Sequence, residues 1–139
     1  MFDIDFETLR ATRASNPGAI VEALAKRSRR DLLGADGRLL LVAADHPARA
    51  ALGIGKSALA MADREDLLQR LAVALSNPAV DGVLATPDII DDLALLGLLE
   101  NKVVVGSMNR GGLRGAVFEM DDRFGSYSID SIVNAGLDF

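Results

Sequence analysis

The chain has 139 residues, room for one domain of ordinary size. Half of them are apolar and a quarter charged, which excludes a disordered tail, and cysteine is absent, which excludes a disulfide framework, a zinc knuckle, a thiol nucleophile and a cysteine-held cluster. The net charge is −5 and the one dense basic cluster is Lys26-Arg27-Ser28-Arg29-Arg30, so no nucleic-acid partner is expected.

In chain order, Asn16-Pro17 opens the first periodic stretch, with Asn16 or Ser15 as N-cap and Pro17 at the first helical position. Ile20, Val21 and Leu24 share one face, and the basic cluster closes the helix where cations suit its dipole. Asp36-Gly37 turns into an apolar run of strand length, Arg38 to Ala44, which stops at Asp45-His46-Pro47. A helix is expected from Asp63 to Ser76, with Leu67, Leu68, Leu71, Ala72 and Leu75 at helical spacing and Asn77-Pro78 as its stop. Gly82 to Ala85 reads as a second strand, ending at Thr86-Pro87-Asp88. Ile89, Ile90, Leu93 and Leu96 mark the next helix, capped by Asp88 and closed near Gly97.

Val103 to Val105 is the third strand, leading through Gly106-Ser107 into a long loop that reaches Tyr127. Ser128 caps a last short helix through Ile129, Ile132 and Val133, with Gly136 at its end, and Leu137-Asp138-Phe139 reads as the lead-in to another strand. The alternation predicts an α/β fold with parallel strands and crossover helices. No apolar run approaches the ~18 residues of a membrane span, and the N-terminus is acidic where a signal peptide is basic. A cytoplasmic protein with no membrane partner is therefore expected.

Parallel α/β sheets bind ligands beyond the carboxyl ends of their strands. Those ends carry Asp45 and His46, then Thr86, then Ser107 with Asn109 and Arg110 after it. Asp45 at a strand mouth suits proton transfer, and its ordinary alternative is to cap the loop that follows. His46 is the sole histidine, so no multi-histidine metal site exists; it suits catalysis or a supporting hydrogen bond equally. Asn109 and Arg110, before Gly111-Gly112, suit anion or hydroxyl binding. Gly53-Ile54-Gly55-Lys56-Ser57 has a superficial likeness to a phosphate loop, but the first glycine of that motif is missing and no helix opens at Lys56. Glu119, Asp121 and Asp122 could hold a divalent cation for a hydrolase, although most acidic loop triplets are simply solvated. The site assignment contains no metal and no cofactor.

From Ala43-Ala44-Asp45-His46-Pro47-Ala48-Arg49 onward the sequence resembles the class I aldolases of the fructose-bisphosphate and deoxyribose-phosphate type. Met61-Ala62-Asp63-Arg64, Asp81 to Asp88, Gly106 to Gly112 and Glu119 to Phe124 extend the resemblance to one aldolase-like branch, some of whose members are encoded beside inositol-catabolism genes. Gly125-Ser126 departs from the Thr-Gly expected there.

The resemblance implies a (β/α)8 TIM barrel of about 250 residues. This chain would be its N-terminal half, with residues 1–37 as a helical extension and 38–139 as the half-barrel. It further implies a lyase that forms a Schiff base with a phosphorylated keto or deoxy sugar, or a sugar acid. Asp45 and His46 would be catalytic, with Thr86, Ser107, Asn109 and Arg110 on the substrate. Lys26, Lys56 and Lys102 are all badly placed for the Schiff base, so the catalytic lysine is expected outside this chain. The alternative is a non-catalytic half-barrel that works only by pairing with a partner chain or with itself as a homo-oligomer.

Overall fold

A computed structural model describes residues 2–108 and 125–139. Their elements run α1 (Phe6–Ser15), α2 (Gly18–Lys26), β1 (Leu41–Ala43), a 3-10 turn (His46–Arg49), α3 (Arg64–Ser76), β2 (Gly82–Ala85), α4 (Pro87–Leu95), β3 (Val103–Gly106) and α5 (Ile129–Asn134). The three strands form one parallel sheet in sequential order. Leu41, Val42 and Ala43 pair with Gly82, Val83 and Leu84, which pair in turn with Val103, Val104 and Val105.

The predicted barrel is corrected here. An eight-stranded barrel closes by returning its last strand to its first, whereas the described residues form a three-stranded sheet. What stands is a small α/β domain with a three-stranded parallel sheet and five α-helices among the described residues.

One face of the sheet is sealed. Val83, Ala85 and Val104 are fully buried there against Ile90 and Leu93 of α4, with Leu68, Leu71 and Leu75 of α3 in the same cluster. The other face is mixed: Gly82 and Val103 are buried, Leu84 and Val105 half-buried and Ala43 exposed. Gly82 sits where no side chain fits: a Cβ there would lie 2.0 Å from the Val103 carbonyl oxygen.

Helix boundaries follow local chemistry. The Asp63 side chain accepts the Asp66 N–H and fixes the start of α3. Ser128 and Ser131 form a reciprocal capping box on α5. α1 was not anticipated; the Asp5 carboxylate caps it through the Thr8 N–H, and Leu9 is buried beneath it. Pro17 disfavours helix at the residue before it, which separates α1 from α2.

The basic cluster closes α2, with Lys26 in its last turn, and is also a fastening. Arg27 is buried; its guanidinium donates to the carbonyls of Lys102 (3.1 Å) and Gly136 (2.9 Å) and to Asp138 Oδ2 (2.9 Å). Arg30 donates to the Asp81 carboxylate, which also accepts the Leu40 N–H. The expected lead-in at the C-terminus lies along β3. Gly106 N–H donates to the Phe139 carbonyl at 2.7 Å, and Phe139 N–H reaches the Val104 carbonyl at 3.3 Å, the alternation of a parallel ladder.

Arg27→Ala strands two carbonyls and a carboxylate that share one buried cation. Breaking such a set costs about 3 kcal/mol, so urea denaturation should show a clear fall in midpoint with an unchanged slope.

Candidate functional site

The ladder continues past the strand ends. Ala44 N–H donates to the Leu84 carbonyl at 2.7 Å, and Ser107 N–H donates to the Ala85 carbonyl at 2.9 Å. Carried one residue further, that register aligns Asp45, Thr86 and Ser107 on a single rung across three adjacent strands, each about 4.8 Å from the next. Strand alternation puts Thr86 and Ser107 on the same face as Leu84 and Val105, and Asp45 follows Ala44 at the end of its strand with φ −91° and ψ −2°. All three residues are buried, which is unusual for short polar side chains at loop entrances.

Asp45 is held from the turn that follows it. Arg49 Nε donates to Asp45 Oδ2 at 2.8 Å, four residues on. His46 Nδ1 lies 3.8 Å from Asp45 Oδ1, too far for a hydrogen bond, and its side chain is half exposed. His46 therefore stands beside the rung rather than on it.

Thr86, and not Asp88, is the N-cap residue of α4, with Pro87 at the first helical position. Asp88 sits inside the first turn, where its Oδ1 accepts the Thr86 hydroxyl at 2.5 Å. Its other oxygen accepts from Arg64. Burial pushes the Asp88 carboxyl up, but the hydrogen bonds from Thr86 and Arg64 prevail and hold it below the usual carboxylate range. Arg64 in turn donates to Asp92, which is buried and also takes Arg13 Nη1 at 2.8 Å. This chain of contacts joins α1, α3 and α4 directly behind the rung.

Ser107 is fixed by its backbone, its carbonyl accepting the Tyr127 N–H at 3.1 Å. Gly106 makes room for this: a Cβ there would lie 2.7 Å from the buried Tyr127 ring. Asn109, Arg110 and the acidic residues Glu119, Asp121 and Asp122 lie outside the described residues.

No lysine is on the rung. Lys26 pairs with Glu22 on α2, Lys56 is exposed in a loop, and Lys102 donates to the Val80 carbonyl at 2.6 Å at the amino end of the sheet. The Gly53–Ser57 segment is a tight turn whose Ile54 and Ser57 amides bond each other's carbonyls, so those amides are spent within the turn. No helix among the described residues is long and apolar enough to cross a membrane.

A family model described as Cgl0159-like matches residues 37–139. The chain belongs to the Cgl0159-like family. A crystal structure of Cgl0159 from Corynebacterium glutamicum (Brevibacterium flavum) is 62% identical, with a TM-score of 0.91 over 96% of this chain. The chain spans 45% of that structure's length. No curated protein matches. The expected aldolase membership is corrected accordingly: the matching family is Cgl0159-like, no aldolase family matches, and the lyase and TIM-barrel descriptions lose their basis.

The Asp88 contacts carry a pH signature. An Asp with a folded pKa below its unfolded value of about 3.9 contributes stability that is complete above that value and lost as pH falls through the folded one. The stability difference between wild type and Asp88→Asn should therefore be constant near neutrality and shrink below about pH 4. A difference that persists to low pH in denaturant titrations would remove Asp88 from this role.

Proposed function

We propose that the rung of Asp45, Thr86 and Ser107 binds a hydroxyl-bearing, sugar-sized small molecule, and that Asp45 moves a proton on it. The observation that carries this reading is that three buried polar residues follow the carboxyl ends of three adjacent parallel strands. Asp45 supplies a carboxylate anchored through one oxygen by Arg49. Thr86 and Ser107 supply hydroxyls that orient the ligand. Phosphorylated keto or deoxy sugars and sugar acids are the substrates to test first, in a cytoplasmic setting.

Proton transfer can be read without presuming a bond-breaking step. Incubation with such a sugar in deuterated water should exchange the hydrogen on carbon next to the carbonyl, followed by proton NMR. Asp45→Asn keeps the shape and removes the proton carrier, so exchange should fall by about 100-fold or more. Equal exchange by both proteins would reject Asp45 as the proton carrier.

A second reading, self-association, has its own support. Ile129 and Val133 on α5 are about 70% exposed, and Phe139 at the sheet edge is also exposed. Ile129 and Val133 lie four residues apart on one face of α5, and an exposed apolar stripe favours association with another chain. Sedimentation equilibrium should show a dimer at micromolar concentration, weakened by Val133→Lys; a monomer throughout would eliminate this reading.

A further inference from the structure

We propose that the rung recognises a hydrogen-bond donor of its ligand at Thr86, the hydroxyl of a polyol or sugar, and turns away an anionic oxygen. This rests on the reading of the rung as a ligand site and adds the polarity of the group it takes.

A threonine hydroxyl has one proton and two lone pairs. In this structure the proton is committed, because the acceptor 2.5 Å away is a carboxylate oxygen of Asp88. Such charge-assisted contacts are short and strong. Asp88 is kept ionised from the opposite side: Arg64 donates to its Oδ2, and Arg64 Nη2 donates to its backbone carbonyl at 2.8 Å. Arg64 cannot easily swing away, since Nε and Nη2 also hold the buried Asp92 carboxylate at 2.9 and 2.6 Å. Asp88 and Arg64 are thus positioning residues that decide which way the Thr86 hydroxyl faces.

What remains at Thr86 Oγ1 for a ligand is lone-pair density. The adjacent member of the rung, Asp45, is an acceptor too, being a carboxylate bonded to Arg49. Two acceptors on neighbouring strand ends, whose backbones run about 4.8 Å apart, form a surface that a pair of sugar hydroxyls can satisfy. A phosphate or carboxylate oxygen placed there would meet lone pairs and negative charge. The start of α4 offers such an anion no compensation, because Asp88 already occupies its first turn. The phosphate of a sugar phosphate would therefore lie off the rung, with the hydroxyls on it.

The test is an amide chemical-shift titration of the 139-residue chain with D-glucitol, D-glucitol 6-phosphate and inorganic phosphate at matched ionic strength. Glucitol and its phosphate should shift the Asp45, Thr86 and Ser107 amides saturably, and inorganic phosphate should not. Thr86→Val, which keeps the branched shape without the oxygen, should weaken glucitol binding roughly tenfold. Thr86→Ser, which keeps the oxygen and its proton, should restore it to within about threefold. Saturable binding of inorganic phosphate at the rung, or glucitol binding indifferent to Thr86→Val, overturns the polarity while the rung stands as a site. Silence of the rung amides to all three probes overturns the site itself, and the polarity with it.

Discussion

A buried guanidinium holds the amino end of the sheet together. Arg27 leaves α2 and reaches the residue before β3, the turn after α5 and the carboxylate of Asp138, which itself accepts the Val104 N–H. Segments more than a hundred residues apart in sequence are thereby tied to one cation. The cost of burying a charge is high, and it is offset only when the ion's donors are used. Arg27 uses two of its three nitrogens; its Nε has no partner among the described residues. Arg30 and Lys102 complete the fastening by engaging Asp81 and the Val80 carbonyl.

Fixing one end of a parallel sheet leaves the other end for chemistry. Cations at the amino end are consumed by carbonyls and structural carboxylates, so they are unavailable to a ligand. At the carboxyl end the charges are arranged in depth instead. Asp45 and Thr86 occupy the rung, Arg49 and Asp88 stand next to them, and Arg64, Asp92 and Arg13 form the layer behind. Burial of Asp91 beside Asp92 and Asp88 pushes its carboxyl up, which marks how densely acidic this layer is. The arginines prevent that density from splaying α4 away from α3 and α1.

The strands and α3 were legible because their signals are local. Gly82 to Ala85 is a short apolar run between turn residues, and Asp63 to Ser76 combines a capping aspartate with a clean leucine period. The first strand is shorter than its apolar run: Leu39 precedes the ladder, which begins with the Leu40 carbonyl accepting the Asp81 N–H, while the Asp81 carboxylate takes the Leu40 N–H. α1 escaped because its apolar face amounts to Phe6 and Leu9 in an otherwise polar stretch; the Asp5-to-Thr8 cap was the available clue. The basic cluster does close α2, with Lys26 in its last turn, but its second role was missed for a different reason. A helix-end cation and a buried clamp have the same local sequence, and only the distant partners at Lys102, Gly136 and Asp138 tell them apart.

The candidate site shows the same division. That Asp45, Thr86 and Ser107 end their strands could be read directly; that they share a rung depends on register, which no single segment encodes. The barrel expectation failed at a comparable point, because repeated strand–helix units specify parallel pairing but not how many strands will pair or whether the sheet closes. Assigning Asp88 as the cap of α4 overlooked that Thr86-Pro87 already satisfies the preference for a capping residue followed by proline. Once Thr86 takes the cap, Asp88 is displaced by two residues into the first turn, where it can accept the threonine proton and meet Arg64. The orientation of one hydroxyl on the rung is thus a consequence of where a proline starts a helix.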